Sequence, residues 1–286
     1  MNGLIVIQPG FWTSVQDAGR FGYAHLGIPQ SGVMDRSAMA MANGLLNNRP
    51  DAAVIECTLK GPVVAFEKDT HFVITGGGVT ADCAGKTVRH SAVAFAKAGD
   101  RLHIGAVNKD SRVYLAVAGG IMTEKVLGSR SMYAPLTVEK LEKKDFLPIG
   151  RSQYGAIKGA KLRSIVSNIS ADRPEAICLK VYKGPEYEWL SSDQRQALLR
   201  PTIVSNHWNR MALQFEQKLL HQMPEMHTAP VIPGTIQCTP DGSLIALLYD
   251  CQTTGGYPRV LQLTPESMNL MGQLQAGSKV YWELLS

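Results

Sequence analysis

Apolar residues in this chain come in short runs, β-branched or alternating with polar ones, and nearly every run is closed by a turn-forming residue. Runs of this length are too short for ordinary helices and suit strands. Strands are predicted at Leu4–Ile7, Pro62–Phe66, Phe72–Thr75, Ala92–Phe95, Leu102–Ile104, Arg112–Val117, Leu179–Tyr182, Leu244–Tyr249 and Lys279–Leu284. Gly99-Asp100 and Gly277-Ser278 each open a strand, Lys144-Asp145 is a looser third copy, and the repetition hints at two similar halves. The reading is a mostly β fold with a few short helices.

Three helices fit the pattern. Met34, Ala38, Met41, Ala42 and Leu45 form a helical stripe that Asp35 can cap and that the Asn47–Pro50 stretch stops, so these methionines are read as core. Ser191 or Ser192 can cap a second helix reaching Leu199, with Gln194 completing a capping box. The third starts at Thr264, with Pro265 in its first position and Glu266 at the positive end of the dipole.

A length of 286 residues suggests two domains or one large two-part β fold. The polar, glycine-bearing stretch from Gly150 to Pro174 is the softest boundary, giving domains 1–160 and 161–286. The net charge of +5 is spread along the chain without a basic run or stacking aromatics, which argues against nucleic acid as a partner. Five widely spaced cysteines without a CxxC pair argue against a disulfide framework or thiolate zinc and fit a reducing compartment. No apolar stretch has the length of a membrane helix, and Met1–Gly10 lacks the features of a signal peptide. A cytoplasmic protein without a membrane partner is expected.

Two polar, glycine-punctuated stretches carry the candidate chemistry. The first spans Ser14-Val15-Gln16-Asp17-Ala18-Gly19-Arg20 and Gly27 to Asp35. It is either a long turn into a capped helix or an anion site, in which Arg20 and Ser31 beside backbone amides take a carboxylate or phosphate. Asp35 is explained by its cap position alone. The second, Asp250 to Pro258, follows a buried-looking strand and is either a hairpin loop or a set of donors facing one oxygen. His25 lies between the two N-terminal polar clusters and reads either as a structural or as a functional imidazole. Gly85-Lys86-Thr87 imitates the end of a phosphate-binding loop, but six residues separate Gly78 from Gly85 where four are needed. The histidines form neither HxH nor HExxH, so no metal site is assigned.

Around these residues the sequence resembles the family of 5-oxoprolinase C-type subunits, of the biotin-dependent carboxyltransferase or allophanate hydrolase subunit 2 type. The resemblance rests on SVQDAGRFGYAHLGIPQSGVMD, MANGLLNN, ECTLKGPVVAF with Glu56, YLAVAGGI, VLGSRSMY, KGPEYEWL, PGTIQCTPDG and DCQTTGGYP, which follow one another along nearly the whole chain. It implies a cyclophilin-like β-barrel architecture in two parts. It also implies partnership with oxoprolinase subunits of A and B type in an enzyme that uses ATP to open the lactam of 5-oxoproline, a small anionic amide, giving glutamate.

On that resemblance Asp17, Arg20, Ser31, Thr253 and Thr254 are the catalytic candidates. Arg20 would hold a carboxylate or phosphoryl group, Asp17 would orient Arg20 or act as a base, and Ser31, Gln252, Thr253 and Thr254 would stabilise charge on oxygen. Gln16, His25, Asp35, Arg210, Gln237, Gln252, Gly255, Gly256 and Tyr257 are the substrate-binding candidates.

The stretch Trp208-Asn209-Arg210-Met211-Ala212-Leu213-Gln214-Phe215 departs from the family pattern, with Asn209 replacing an acid, Ala212 a glycine and Gln214 an arginine. Thr228-Ala229 also lacks an expected acid. These changes raise the possibility of altered substrate or lost activity. The alternatives are carboxyl transfer to urea or another amide, with biotin on a separate carrier because this chain has no Met-Lys attachment motif, and a non-catalytic protein that antagonises a kinase inhibitor. Peptidyl-prolyl isomerisation rests on fold analogy alone.

Overall fold

A computed structural model describes residues 2–152 and 176–285, apart from the Lys109 side chain. The chain forms two compact units, one of Met1–Arg20 with Ser31–Ala171 and one of Phe21–Gln30 with Asp172–Ser286. The expected division at 160/161 lies outside the described residues.

The first unit runs through β1 (Gly3–Gln8), β2 (Trp12–Gln16), α1 (Arg36–Leu45), β3 (Val54–Thr58), β4 (Val63–Phe66), β5 (Thr70–Cys83), β6 (Lys86–Thr87), β7 (Ala94–Ala96), β8 (Arg101–Val117) and β9 (Phe146–Pro148). Its nine-stranded sheet has the order β2-β3-β8-β4-β1-β9, with β5 also paired to β8 and carrying β6 and β7. The side chains alternate between two faces, as the pleat requires. Val15, Ile55, Cys57, Val113, Leu115 and Val117 join one core cluster with Leu4, Phe66, Phe72 and Leu102. Val54, Val73, Tyr114 and Ala116 point to the other side and pack with Ala38, Met39 and Ala42 of α1. By the same alternation Ser14, Gln16, Glu56 and Arg112 belong to the α1 side, which is where the polar site is built.

The predicted α1 cap forms: Asp35 Oδ1 accepts the Ala38 amide at 3.0 Å and the Ser37 hydroxyl at 2.5 Å. The two strands expected at Leu102–Ile104 and Arg112–Val117 are one 17-residue strand, β8, facing a 14-residue β5. Register shifts beside Gly76 and Val79 accommodate the glycines, so the ladder bends and continues beyond Thr75, where the predicted strand ends. Ala84 and Gly85 form a turn at positive φ between β5 and β6, so Gly85-Lys86-Thr87 belongs to a hairpin.

The second unit contains β10 (Ala176–Lys183), α2 (Ser192–Leu198), β11 (Thr202–Trp208), β12 (Ala212–Lys218), β13 (Ala229–Pro230), β14 (Thr235–Cys238), β15 (Ser243–Leu247), β16 (Thr254–Gly255), β17 (Arg259–Leu263), α3 (Pro265–Met271) and β18 (Lys279–Leu284). Seven of these strands close a barrel in the order β10-β17-β14-β15-β12-β11-β18, sealed by parallel pairing of β10 with β18. Leu179, Val181, Val204, Ile236, Leu244 and Val280 are fully buried, and Phe215 meets Trp282 edge-on at 5.1 Å. Both predicted caps are present, a capping box at Ser191 and Gln194 and a Thr264 hydroxyl accepting the Ser267 amide. The barrel and the curled sheet agree with the expected mostly β, two-part architecture.

Candidate functional site

In the first unit the sequence-predicted residues gather at the end of β2. The Asp17 carboxylate is buried and accepts four donors. Oδ1 takes the Gly19 amide at 2.9 Å and the Ser129 and Ser131 hydroxyls at 2.6 and 2.8 Å, while Oδ2 takes the Arg130 amide at 2.7 Å. Asp17 thereby fixes the Ser129–Ser131 turn. The Ser131 carbonyl accepts Arg20 Nη2 at 2.5 Å, so the aspartate reaches the guanidinium through that turn. Oxygens engaged by structural donors favour positioning over proton abstraction. Gln16 is fully buried and donates to Ser14 Oγ and the Met132 carbonyl, a structural pattern as well.

Ser31 is fully buried, holds φ at +55°, and its Oγ has no hydrogen-bond partner among the described residues. A non-glycine residue in the left-handed region with an unanswered hydroxyl is characteristic of functional positions. Gly32 follows at φ +99°, and a Cβ there would come within 3.0 Å of the Asp17–Gly19 backbone. The chain can pass at that distance only because this residue is glycine.

The next three amides are all taken by protein acceptors: Val33 donates to the Asp17 carbonyl, Met34 to Glu56 Oε2 at 2.7 Å, and Asp35 to the Tyr114 hydroxyl at 2.8 Å. These amides are therefore not offered to an anion, and the expected anion site narrows to Arg20 and Ser31. Glu56 is completed by Arg112, Nε to Oε1 at 3.5 Å, with both side chains almost wholly buried. Burial first, then the charges of Glu56 and Asp35, push the Tyr114 phenol well above its ordinary pKa, so it stays neutral. Asp35 serves as helix cap.

The second unit brings together a different group at one end of its barrel. Gln237 is buried on β14 and donates to the Tyr257 carbonyl at 3.3 Å, and its Oε1 accepts Gln252 Nε2 at 3.5 Å. A Cβ on Gly255 would lie 2.6 Å from Gln237 Nε2, so the glycine lets the loop backbone approach the amide. The short β13–β16 pairing, Ala229 with Gly255 and Pro230 with Thr254, steadies the loop. Gln252, Thr254, Gly256 and Tyr257 are exposed and Thr253 is half-buried, so this loop presents hydroxyl and amide donors to solvent. Donors of this kind act on charged oxygen only where water is excluded, which the exposed loop alone does not provide.

Arg210 is engaged by Asp250, Nε to Oδ2 at 2.7 Å and Nη2 to Oδ1 at 3.3 Å, in a two-point pair. Two of the departures from the family pattern, Asn209 and Ala212, find ordinary roles here. Asn209 Oδ1 accepts the Met211 and Ala212 amides and closes the β11–β12 turn, while Asp250 supplies the acid for the arginine. Ala212 does not occupy the left-handed region, and it pairs with Leu247 in the sheet. His25 sits on an exposed 3-10 turn, Ala24–Leu26, with no buried neighbour in that turn.

Sequence reasoning passes over several polar groups. Glu56, present in a family block but given no role there, hides with Arg112 and Tyr114 in apolar strands, where their alternation with core residues marks them. Glu186 pairs with Arg259 through Oε1 to Nη2 at 2.7 Å and Oε2 to Nε at 2.9 Å, beside the strand that follows the Gln252–Tyr257 loop. A depression of about 390 Å³ elsewhere in the second unit, among Gln194, Leu220, His221, Pro240 and Asp241, has no predicted site residue on its wall. No metal-binding cluster of histidine, cysteine or acidic side chains occurs among the described residues.

The family described as carboxyltransferase domain, subdomain A and B, matches residues 26–284. The chain belongs to this family. Within it, the chain is similar to the C-type subunit of the 5-oxoprolinase of Escherichia coli (strain K12), 32% identical over 98% of this chain and 90% of the relative. The corresponding protein of Haemophilus influenzae is 28% identical over 96% of this chain and 88% of its own length. A stretch of 130 residues is 39% identical to the urea amidolyase of Lachancea kluyveri, covering 45% of this chain and 7% of that protein.

Among solved structures, the Kluyveromyces lactis urea carboxylase superposes with a TM-score of 0.88 at 24% identity, over 99% of this chain and 27% of that one, and speaks for the fold alone. Another solved chain, 27% identical with a TM-score of 0.83, is covered over 55% of its length, so this protein spans about half of it. The family match includes both the Gln237 and Gln252–Tyr257 group and the Arg210–Asp250 pair, while Asp17 and Arg20 precede it.

Proposed function

We propose that this chain is the C-type component of an ATP-dependent 5-oxoprolinase, inactive alone and completed by A- and B-type subunits. The observation that carries the reading is its similarity, along almost its whole length, to the protein of that name in Escherichia coli. In the proposed reaction ATP transfers a phosphoryl group to the lactam oxygen and leaves as ADP, one water adds to the carbon and the ring C–N bond breaks to give an acyl phosphate with a freed, protonated amine, and a second water cleaves the acyl phosphate to glutamate and phosphate. The exposed Gln252 and Thr254 and the half-buried Thr253 suit the charge that develops on oxygen, and Arg20 suits the substrate carboxylate or a phosphoryl group. Arg20 and Ser31 are covered in this structure, so substrate reaches them only after the surrounding chain rearranges. ATP binding is assigned to a partner subunit, and an ATP-consuming assembly is placed in the cytoplasm. No helix among the described residues is long and apolar enough to cross a membrane.

The test is 5-oxoproline-dependent ATP hydrolysis and glutamate release by the assembled subunits, with and without this chain. Loss on omission, and loss with Arg20→Ala in an intact assembly, are the expected results; full activity without this chain would overturn the reading. The partial similarity to urea amidolyase supports a second reading, carboxyl transfer to an amide with biotin on a separate carrier. In the same assembly it predicts bicarbonate-dependent ATP hydrolysis that needs the carrier.

A further inference from the structure

The stretch that carries Ser31 is held from behind by residues with no place in the proposed chemistry. Glu56 lies in register with Ser14 on one side and with Tyr114 on the other, so one row across β2, β3 and β8 presents a hydroxyl, a carboxylate and a phenol to the α1 side. Two of these take consecutive amides of the segment, Met34 on Glu56 and Asp35 on Tyr114, and the Asp17 carbonyl takes the one before, Val33. Three amides in a row bound to three separate elements fix the backbone leaving Ser31, a strained position that a non-glycine residue keeps only where its surroundings impose it. The neutral phenol accepts without adding a charge, and Arg112 beside Glu56 balances the buried carboxylate.

We propose that Glu56 and Tyr114 are positioning residues that impose the left-handed conformation of Ser31 through Met34 and Asp35, leaving its hydroxyl, without a partner among the described residues, for the reacting oxygen once the covering chain rearranges. The role of the hydroxyl rests on the function proposed above; the backbone restraint does not.

Two measurements separate these parts. Tyr114→Phe removes an acceptor without altering charge, and Glu56→Asp withdraws the carboxylate by one methylene while keeping its charge opposite Arg112. In the isolated full chain, either substitution speeds amide hydrogen exchange in peptides covering residues 31–38 and leaves the barrel peptides unchanged. Unaltered exchange in residues 31–38 in both variants overturns the positioning role whatever the substrate. In the assembled complex, Tyr114→Phe lowers kcat about tenfold with KM for 5-oxoproline retained, and adds no further loss to Ser31→Ala, because both act through one hydroxyl. Independent, multiplying losses overturn the link to Ser31. A wild-type complex without 5-oxoproline turnover overturns the proposed function and with it the role of the hydroxyl, while the exchange measurement still decides the restraint.

Discussion

Asp17 and Arg20 stand three residues apart, a spacing that suggests a pair, yet the carboxylate oxygens are engaged by the Gly19 and Arg130 amides and by two serine hydroxyls. Asp17→Asn puts an amide donor where only donors converge, so the change leaves buried groups unanswered at a cost of about 1–3 kcal/mol. Chemical denaturation should register that loss, and an unchanged midpoint would speak against the structural role. Glu186 allows a prediction about pH. Burial pushes its carboxyl up, but the hydrogen bonds and charge of Arg259 outweigh burial and hold it below the ordinary value of 4.5. A folded-state pKa below the unfolded one stabilises fully above the unfolded value, and the gain is lost as the pH falls through the folded value. Glu186→Gln should therefore narrow its stability gap to wild type as the pH drops below about 4.5, which denaturation at graded pH would reveal.

At the scale of elements, helices are more legible in the sequence than strands. The caps at Asp35, Ser191 and Thr264 are local signals, and all three form as the side chains dictate. Strands β2, β3, β11, β12, β14 and β17 escape the sequence pattern. Several carry polar residues on their buried side, Glu56 and Gln237 among them, and break the alternation that marks a half-buried strand. The site is legible as loops, because glycine and hydroxyl residues cluster there. The groups that hold those loops are not, since their partners are distant in sequence: Ser131 lies 114 residues from Asp17. The Gln252–Tyr257 loop offers a clean perturbation. Gly255 has no left-handed φ, so Gly255→Ala strains no backbone, but the new methyl displaces the Gln237 amide. The variant should keep its melting temperature within a few degrees, the equivalent of about 1 kcal/mol, and lose turnover. A fully active Gly255→Ala complex would remove Gln237 from any role in shaping the loop.

For the whole molecule, composition and run lengths carry the mostly β class, and the family blocks carry the barrel. The grouping of Phe21–Gln30 with the second unit has no signal in composition or spacing. The cysteines, scattered over the chain, report on both units at once. All five are free. Burial raises Cys57 strongly, and burial followed by a neighbouring aspartate raises Cys238 and Cys251 to about 12. Near neutral pH a thiol reagent should label the native protein slowly and at Cys178 first, the one half-buried cysteine among four buried ones, with the rest reacting after denaturation. Rapid native labelling of Cys238 or Cys251 would mean that the barrel opens readily.

The parallel seam between β10 and β18 also sets an order of events. Its two strands are about a hundred residues apart, and every other strand of the barrel lies between them in the chain. As the polypeptide emerges from a ribosome, β10 and β11 each keep an unsatisfied edge until residues 279–284 arrive to join them. Until then the barrel is an open sheet with two borders able to pair with another chain. A chaperone guarding this protein during synthesis would have most to do just before β18 emerges, and a partner protein that needs the finished barrel would have nothing to bind until it has.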